Sequence, residues 1–421
     1  MAHRYRLYPT PVQEVGLHRH CAHARFVWNL GQEQRSAYRH GRGPTPGFAE
    51  QCRQLTEVRK AEPWLAEGSQ TVQQQALRDL DQAWRNFFAG THRRPGWRKA
   101  GHHEGFRITG TCGGRNANWD VRRMNRRWGQ VQIPKIGWVR FRWSRTLPQG
   151  LKSYRVTRDR ADRWHISFPA PQPAVRREAA SEQIGIDRGV RTTLVTSDGQ
   201  HYRAPRIGDR GAGRYLALAQ KFARQKKGSA KRERTRLAMA EISAREADRR
   251  KDWAEKISTR LVRESDLIVL EKLNVRGMTR KPAQKPDPEN DGAFLPNRAR
   301  AKAGLNRGIL ASCWGVLARC LEDKAEASGV AVIYIDPRFT SQQCHACGHT
   351  AKENRESQAV FRCQECGHED HADRNAARNI LARGLIATGG EIPAHAPGHG
   401  AYRPRQPLAR ASAAGTTRSA A

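Results

Sequence analysis

Residues 184–190 read IGIDRGV and residues 266–273 read DLIVLEKL, two apolar runs that each end in a carboxylate, Asp187 and Glu271. Short, near-continuous apolar runs bounded by charge or glycine predict buried strands. A carboxylate leaving a buried strand costs free energy unless it is paired or holds a metal. A third acid, Asp373, lies in EDHADRNAARNILARG (369–384), just ahead of a predicted helix whose apolar face is Ala376, Ala377, Ile380 and Leu381. Each acid also has an ordinary reading. Asp187 suits a strand-end turn, Glu271 a salt bridge to Lys272 or an arginine, and Asp373 a helix N-cap.

The order of the three is more telling than any one of them. A strand Asp followed by a hairpin (RTTLVTSDG, 191–199), a later strand Glu and an Asp opening a helix is the order of an RNase H fold, which brings three acids to one sheet edge. Such a cluster can hold two Mg2+ or Mn2+ ions about 4 Å apart for in-line displacement at a phosphodiester. Hard oxygen donors select these ions over zinc.

Outward from these runs, the C-terminal part alternates strand and helix, predicting an α/β class. Basic helices are predicted from about Gly213 to Glu264. A helix follows at ILASCWGVLARCLEDKAEASG and a strand at VAVIYIDP. The interval from Arg276 to about Leu305 lacks periodicity and is expected to be a long loop acting as a lid over the catalytic edge. The N-terminal part differs. A short strand at 4–8 ends at Pro9, and residues 12–88 are mostly helical. After Pro95, short alternating runs such as GQVQIP and GWVRFRW predict a small antiparallel sheet or barrel, which makes that part α+β. Residues 169–177 read as a linker, and the Pro/Ala/Arg/Ser-rich tail from 394 to 421 as disordered.

Cys344 and Cys347, then Cys363 and Cys366, form two C-x2-C pairs at zinc-ribbon spacing. Four thiolates complete a tetrahedral shell, so one structural Zn2+ is expected and His345, His349 and His368 are bystanders. The other five cysteines are scattered, which suits a reducing cytoplasm better than a disulfide framework. No run is apolar enough to span a bilayer, and the N-terminus lacks the apolar centre of a secretory signal. Across 421 residues, 76 Lys and Arg stand against 40 Asp and Glu, a net charge of +36. That balance points to a polyanionic partner. The basic stretch 214–250 is expected to meet phosphates. A second cluster, Arg93, Arg94, Arg98 and Lys99, adjoins Phe87, Phe88 and Trp97, which are suited equally to stacking or to packing.

The segments YRLYPTPVQ, ARFVWNLGQEQ, GIDRGV, DLIVLEKLNVRGM, RFTSQQCHACGH, FRCQECGH and DRNAARNIL, in this order, resemble TnpB, the RNA-guided DNA endonuclease family of insertion sequences related to type V CRISPR effectors. The resemblance runs from near residue 4 to near residue 382. It implies a multidomain chain with a helical recognition lobe (12–94) inserted in a wedge-like β-barrel (1–11 and 95–175). A RuvC-like nuclease domain (181–343 and 369–393) then carries a zinc ribbon (344–368). It further implies a guide RNA from the transposon end, a double-stranded DNA target beside a short adjacent motif, a prokaryotic cytoplasmic setting near the nucleoid, and Asp187, Glu271 and Asp373 as the catalytic, magnesium-holding acids. It leaves the oligomeric state open. One departure stands out: many relatives read Asp-x-Asp-x-Asn where this chain has His371-Ala372-Asp373-Arg374-Asn375. Two other readings of the same residues are a catalytically silent RNA-guided repressor and a transposase acting through the acids without RNA.

Overall fold

The computed structural model describes residues 2–36, 45–113, 117–176, 182–290 and 292–389. The expected disordered tail and the end of the expected linker lie outside them. The chain divides into two compact units, one made almost entirely of residues before 170 and one of residues after it.

The first unit opens with β1 (Ala2–Tyr8) and α1 (Pro11–Ser36). The junction is a reciprocal cap. The Gln13 amide donates to Thr10 Oγ1 at 3.3 Å and the Thr10 amide to Gln13 Oε1 at 3.0 Å, which satisfies donors that the helix start would leave open. Helices α2 (Phe48–Ala61), α3 (Pro63–Ala66) and α4 (Gln70–Phe88) follow. Strands β2 (Gly105–Thr109), β3 (Val121–Arg123), β4 (Trp128–Ile133), β5 (Gly137–Arg142), β6 (Ser153–Arg158) and β7 (Trp164–Pro169) complete the unit. They form one antiparallel sheet with β1 at its centre, in the order β2-β6-β7-β1-β5-β4-β3. Alternation sends Tyr5, Leu7, Val131, Val139 and Phe141 into the core, so one face of each strand is apolar and the other remains polar.

The second unit is built on a mixed sheet. Strands β8 (Gln183–Asp187), β9 (Leu194–Thr196) and β10 (His201–Tyr202) form the expected hairpin and an added edge. Helices α5 (Asp209–Arg224) and α6 (Ala230–Glu264) lead to β11 (Leu267–Glu271). The interval expected to be a structureless loop is largely organised instead. It holds α7 (Val275–Met278), a short hairpin of β12 (Lys285–Pro286) and β13 (Phe294–Leu295), and α8 (Ala299–Ala311). Local hydrogen bonds replace the missing periodicity: Asn306 Nδ2 donates to the Thr279 carbonyl and Lys302 Nζ to that of Met278. Then come α9 (Trp314–Ser328), β14 (Ala331–Ile335), the ribbon strands β15 (Val360–Arg362) and β16 (Glu369–His371), and α10 (Ala372–Ala387).

The sheet order is β10-β9-β8-β11-β14, with β8, β11 and β14 parallel. Helices cover both faces, which explains the continuous apolar runs. Ile184, Ile186, Ile268 and Leu270 pack against α6 and α9, while Leu267 and Val269 pack against α10. The α10 contact is close. A Cβ on Gly185 would lie 2.2 Å from the Ala377 carbonyl oxygen, so only glycine lets the helix seat there.

Candidate active site

Strand register brings the first two acids level. Ile186 pairs with Leu270 across the parallel β8–β11 ladder, so the residues that follow, Asp187 and Glu271, end neighbouring strands at the same edge. Period-two alternation then sets their face. Asp187 is two residues beyond Gly185 and Glu271 two beyond Val269, and both of these contact α10. Asp373 is in the first turn of that helix. All three acids line one cavity of about 250 Å³, together with Arg188, Thr340 and Arg355.

Burial and like charge disfavour the ionised carboxylates that line the cavity. Burial pushes the Asp187 carboxyl up to about 8, and the charges of Glu271 and Asp373 push the same way. Glu271 is 6% exposed, and burial raises it as well. Partners oppose the burial: Thr340 Oγ1 donates to Glu271 Oε1 at 3.1 Å, and the Arg188 guanidinium donates to the Glu271 backbone carbonyl. Among the described residues, the four cysteines are the one group of three or more metal-ligating side chains with donor atoms all within 4.8 Å of one another. The acids therefore share a cavity without converging on a point.

The N-cap position, the ordinary reading of Asp373, is taken by another residue. His371 is the cap, its Nδ1 accepting from the Asp373 amide at 3.3 Å, and its ring lies edge-on to His201. This frees the Asp373 carboxylate, which pairs with Arg355 at 3.0 Å. Neighbouring Asp370 is consumed in structure, its side chain fully buried and paired with Arg374 and Arg378.

The cysteine cluster lies immediately beside the cavity in sequence. Cys344 and Cys366 sulfurs are 3.7 Å apart and those of Cys347 and Cys363 are 3.6 Å apart. A tetrahedral ion with bonds of about 2.3 Å to sulfur requires sulfurs about 3.8 Å apart, so the donor set fits a structural zinc. The amides of Ala346 and Cys347 face the Cys344 sulfur, and those of Glu365 and Cys366 face that of Cys363. These contacts favour the thiolate form. Two buried asparagines tie the ribbon to α10. Asn375 Oδ1 accepts from the His345 amide at 2.9 Å, and Asn379 Nδ2 donates to the carbonyls of Thr340 and Gln343. The chain from Asn379 through Thr340 to Glu271 thus links ribbon seating to one acid of the cavity.

Arg355, Thr340 and Asn379 are site residues that sequence reading missed. Arg355 lies between the cysteine pairs in KENRESQ, where nothing in spacing separates it from any solvated arginine. The basic clusters also sort differently. Helix α5 buries no residue, and Arg210, Arg214, Arg245 and Arg249 line a groove between it and α6. Arg98, by contrast, is packed over the Trp28 ring at 3.8 Å, and burial pulls its guanidinium down to about 10. It serves the core of its unit, not a free basic patch.

Fold and site define a two-unit protein with an acid-lined cavity at the carboxyl edge of a mixed sheet, adjoined by a four-cysteine ribbon. Family models match in three places: "Helix-turn-helix domain" over residues 1–43, "Probable transposase" over 154–281 and "Cas12f1-like, TNB domain" over 314–380. A protein of Streptomyces pristinaespiralis described as "Putative RNA-guided DNA endonuclease" is 32% identical over 92% of this chain and 90% of its own. "Putative RNA-guided DNA endonuclease InsQ" of Escherichia coli (strain K12) is 29% identical over 91% and 92%. In fold, the chain is similar to the protein in "Cryo-EM structure of the Cas12f1-sgRNA-target DNA complex", with a TM-score of 0.50 at 12% identity over 88% of this chain and 83% of that one. The chain belongs to the TnpB family of insertion-sequence proteins. No helix among the described residues is long and apolar enough to cross a membrane.

Proposed function

We propose that this protein is an RNA-guided DNA endonuclease of a transposable element, with its hydrolytic centre at Asp187, Glu271 and Asp373. The observation carrying this reading is the shared edge and face of Asp187 and Glu271, opposite the helix whose first turn bears Asp373. Three carboxylates lining one cavity repel one another, and a divalent cation relieves that repulsion. Their hard oxygens fit Mg2+ or Mn2+, whereas the four thiolates of Cys344, Cys347, Cys363 and Cys366 fit one Zn2+. When bound, a divalent pair supplies the charge that activates water and offsets the departing 3′ oxygen. Thr340 holds the Glu271 carboxylate in place, and Arg355 is a cation within the cavity suited to a phosphate oxygen.

Within this reading we assign 1–11 and 95–175 to the wedge-like barrel, 12–94 to the recognition lobe, 181–343 and 369–393 to the RuvC-like domain and 344–368 to the zinc ribbon. The partners are a guide RNA from the transposon end and double-stranded DNA beside a short adjacent motif. The relatives' printed names and the net charge of +36 support this.

The test is expression with the flanking genomic DNA, sequencing of the bound RNA, and cleavage of a target library with Mg2+ or with EDTA. RNA of one defined end and metal-dependent cuts beside a fixed motif are expected. Target binding without cutting would identify a silent repressor, and cutting without bound RNA a transposase.

A further inference from the structure

The parallel ladder between β8 and β11 runs as far as the pair Ile186 and Leu270, one residue short of the two acids. Beyond it, Arg188 joins the strand ends. Its guanidinium donates to the backbone carbonyl of Glu271. Its backbone N–H faces the carboxylates of both Asp187 and Glu271. Arg188 therefore holds Glu271 at main chain and side chain, and bonds the acid that precedes it.

The guanidinium is in turn held from behind. Alternation sends the side chain after Asp187 toward the opposite face of the sheet, where α9 packs. There the Glu322 carboxylate attracts it, with the Tyr334 hydroxyl donating to Glu322 Oε1 at 2.5 Å. Arg188 Nε is buried and has no hydrogen-bond partner among the described residues, a desolvation cost that the surrounding acids offset. Arg355 differs, since it pairs directly with the Asp373 carboxylate and competes with a cation for it. The Arg188 guanidinium bonds a main-chain oxygen, so a metal on the carboxylates leaves that bond intact. Charge alone would make Arg188 a hindrance, because a guanidinium beside two acids repels an incoming divalent cation. Any contribution it makes to metal binding must come from geometry.

We propose that Arg188 is a positioning residue of the hydrolytic centre, clasping the end of β11 to the end of β8 so that Asp187 and Glu271 offer their oxygens to one divalent site. The reaction it serves rests on the endonuclease reading; the clasp rests on the bonds just described. Groups that orient metal ligands from behind typically contribute about tenfold to a hundredfold in metal affinity or activity.

The experiment uses the full chain with its zinc and compares Arg188→Met, Arg188→Gln and Arg188→Lys. Methionine removes both donors and charge. Glutamine is too short to reach the Glu271 carbonyl and, being polar, guards against misfolding of the first variant. Lysine keeps a charged donor of nearly the same reach. Mn2+ binding is followed by the electron paramagnetic resonance of the free ion, with Asp187→Asn marking sites elsewhere on the chain. The methionine and glutamine variants should bind Mn2+ about tenfold to a hundredfold more weakly, and lysine should recover most of the loss. Single-turnover cleavage of a guided target should need correspondingly more Mg2+ for half its maximal rate, with a smaller change in the rate at saturation. Methionine and glutamine variants that bind Mn2+ as tightly as wild type, or more tightly, overturn the proposal. So does a lysine variant that binds no better than the methionine one. The expected pattern of Mn2+ binding in a chain that cuts no DNA with its RNA sustains the clasp and overturns the endonuclease reading. A wild type without a Mn2+ site that depends on Asp187 overturns both.

Discussion

Arg355 holds a guanidinium nitrogen 3.0 Å from the Asp373 carboxylate and 3.2 Å from the Gln358 carbonyl. A cation from the loop between the cysteine pairs thereby sits among three acids, and its charge lowers the cost of ionising Asp187. A cation bound by Asp373 would compete with it, and Arg355 would then be available to a substrate phosphate. Arg355→Ala should slow single-turnover cleavage about a hundredfold and leave RNA and DNA binding within about threefold. Arg355→Lys keeps the charge without the fork and should fall between. Equal cleavage rates for all three proteins would remove Arg355 from the centre.

Asp187→Asn should abolish cleavage and also stabilise the metal-free protein. The native carboxyl titrates near 8 against an ordinary 3.8, because burial and like charge disfavour its ionised form. The cost of holding it is therefore absent below about pH 4, grows as pH rises, and levels off above about pH 8. Denaturant midpoints of wild type and variant, both in buffer free of Mg2+ and Mn2+ with the zinc retained, should coincide at the acid end and separate toward pH 8. The difference should reach a few kcal/mol, on the order of what such a shift implies. A variant less stable than wild type at pH 8 would contradict this account of the cavity.

The ribbon has little core of its own, chiefly Phe361 with Cys344, Cys363 and Ala372. Metal binding must then supply its folding free energy. Cys344→Ser or Cys366→Ser should lose about one zinc per chain by elemental analysis. Cleavage should fall with it, since the ribbon is bonded to Asn375 of α10. Purified wild type without zinc would refute the assignment.

Thr340→Val removes the hydroxyl that Glu271 Oε1 accepts from and keeps the side-chain volume. A buried carboxylate that loses one such partner is expected to slow cleavage about tenfold. Thr340→Ser should restore most of the rate. If valine and serine behave alike, the hydroxyl does not position Glu271.

In the first unit, His20 is 2% exposed and its Nε2–H faces the Pro134 carbonyl at 2.8 Å, while Nδ1 has no hydrogen-bond partner among the described residues. Burial lowers it from 6.5 to about 4, so it folds neutral. The sign follows: stability is full above about pH 6.5 and falls toward pH 4, by up to about 3 kcal/mol, as the unfolded chain takes up a proton the native state refuses. His20→Gln should flatten that slope in denaturant titrations. An unchanged slope would place the acid sensitivity elsewhere.

The sequence by itself determined the strands and the chemistry of the donors. In LIVLE the apolar run marks a strand covered on both sides, and alternation alone puts Glu271 on the face of Val269. Two C-x2-C pairs specify a tetrahedral thiolate site wherever the ribbon docks. Those are properties of short segments. Only the tertiary structure decided that His371 caps α10 and leaves Asp373 free, that Arg355 reaches that acid, and that Arg98 is spent in packing on Trp28. It also turned the aperiodic stretch after Glu271 into two helices and a hairpin. Each of these depends on a partner distant in the chain or on a competition between neighbours for one hydrogen bond. No local pattern encodes such outcomes, because packing chooses among groups that look alike in sequence.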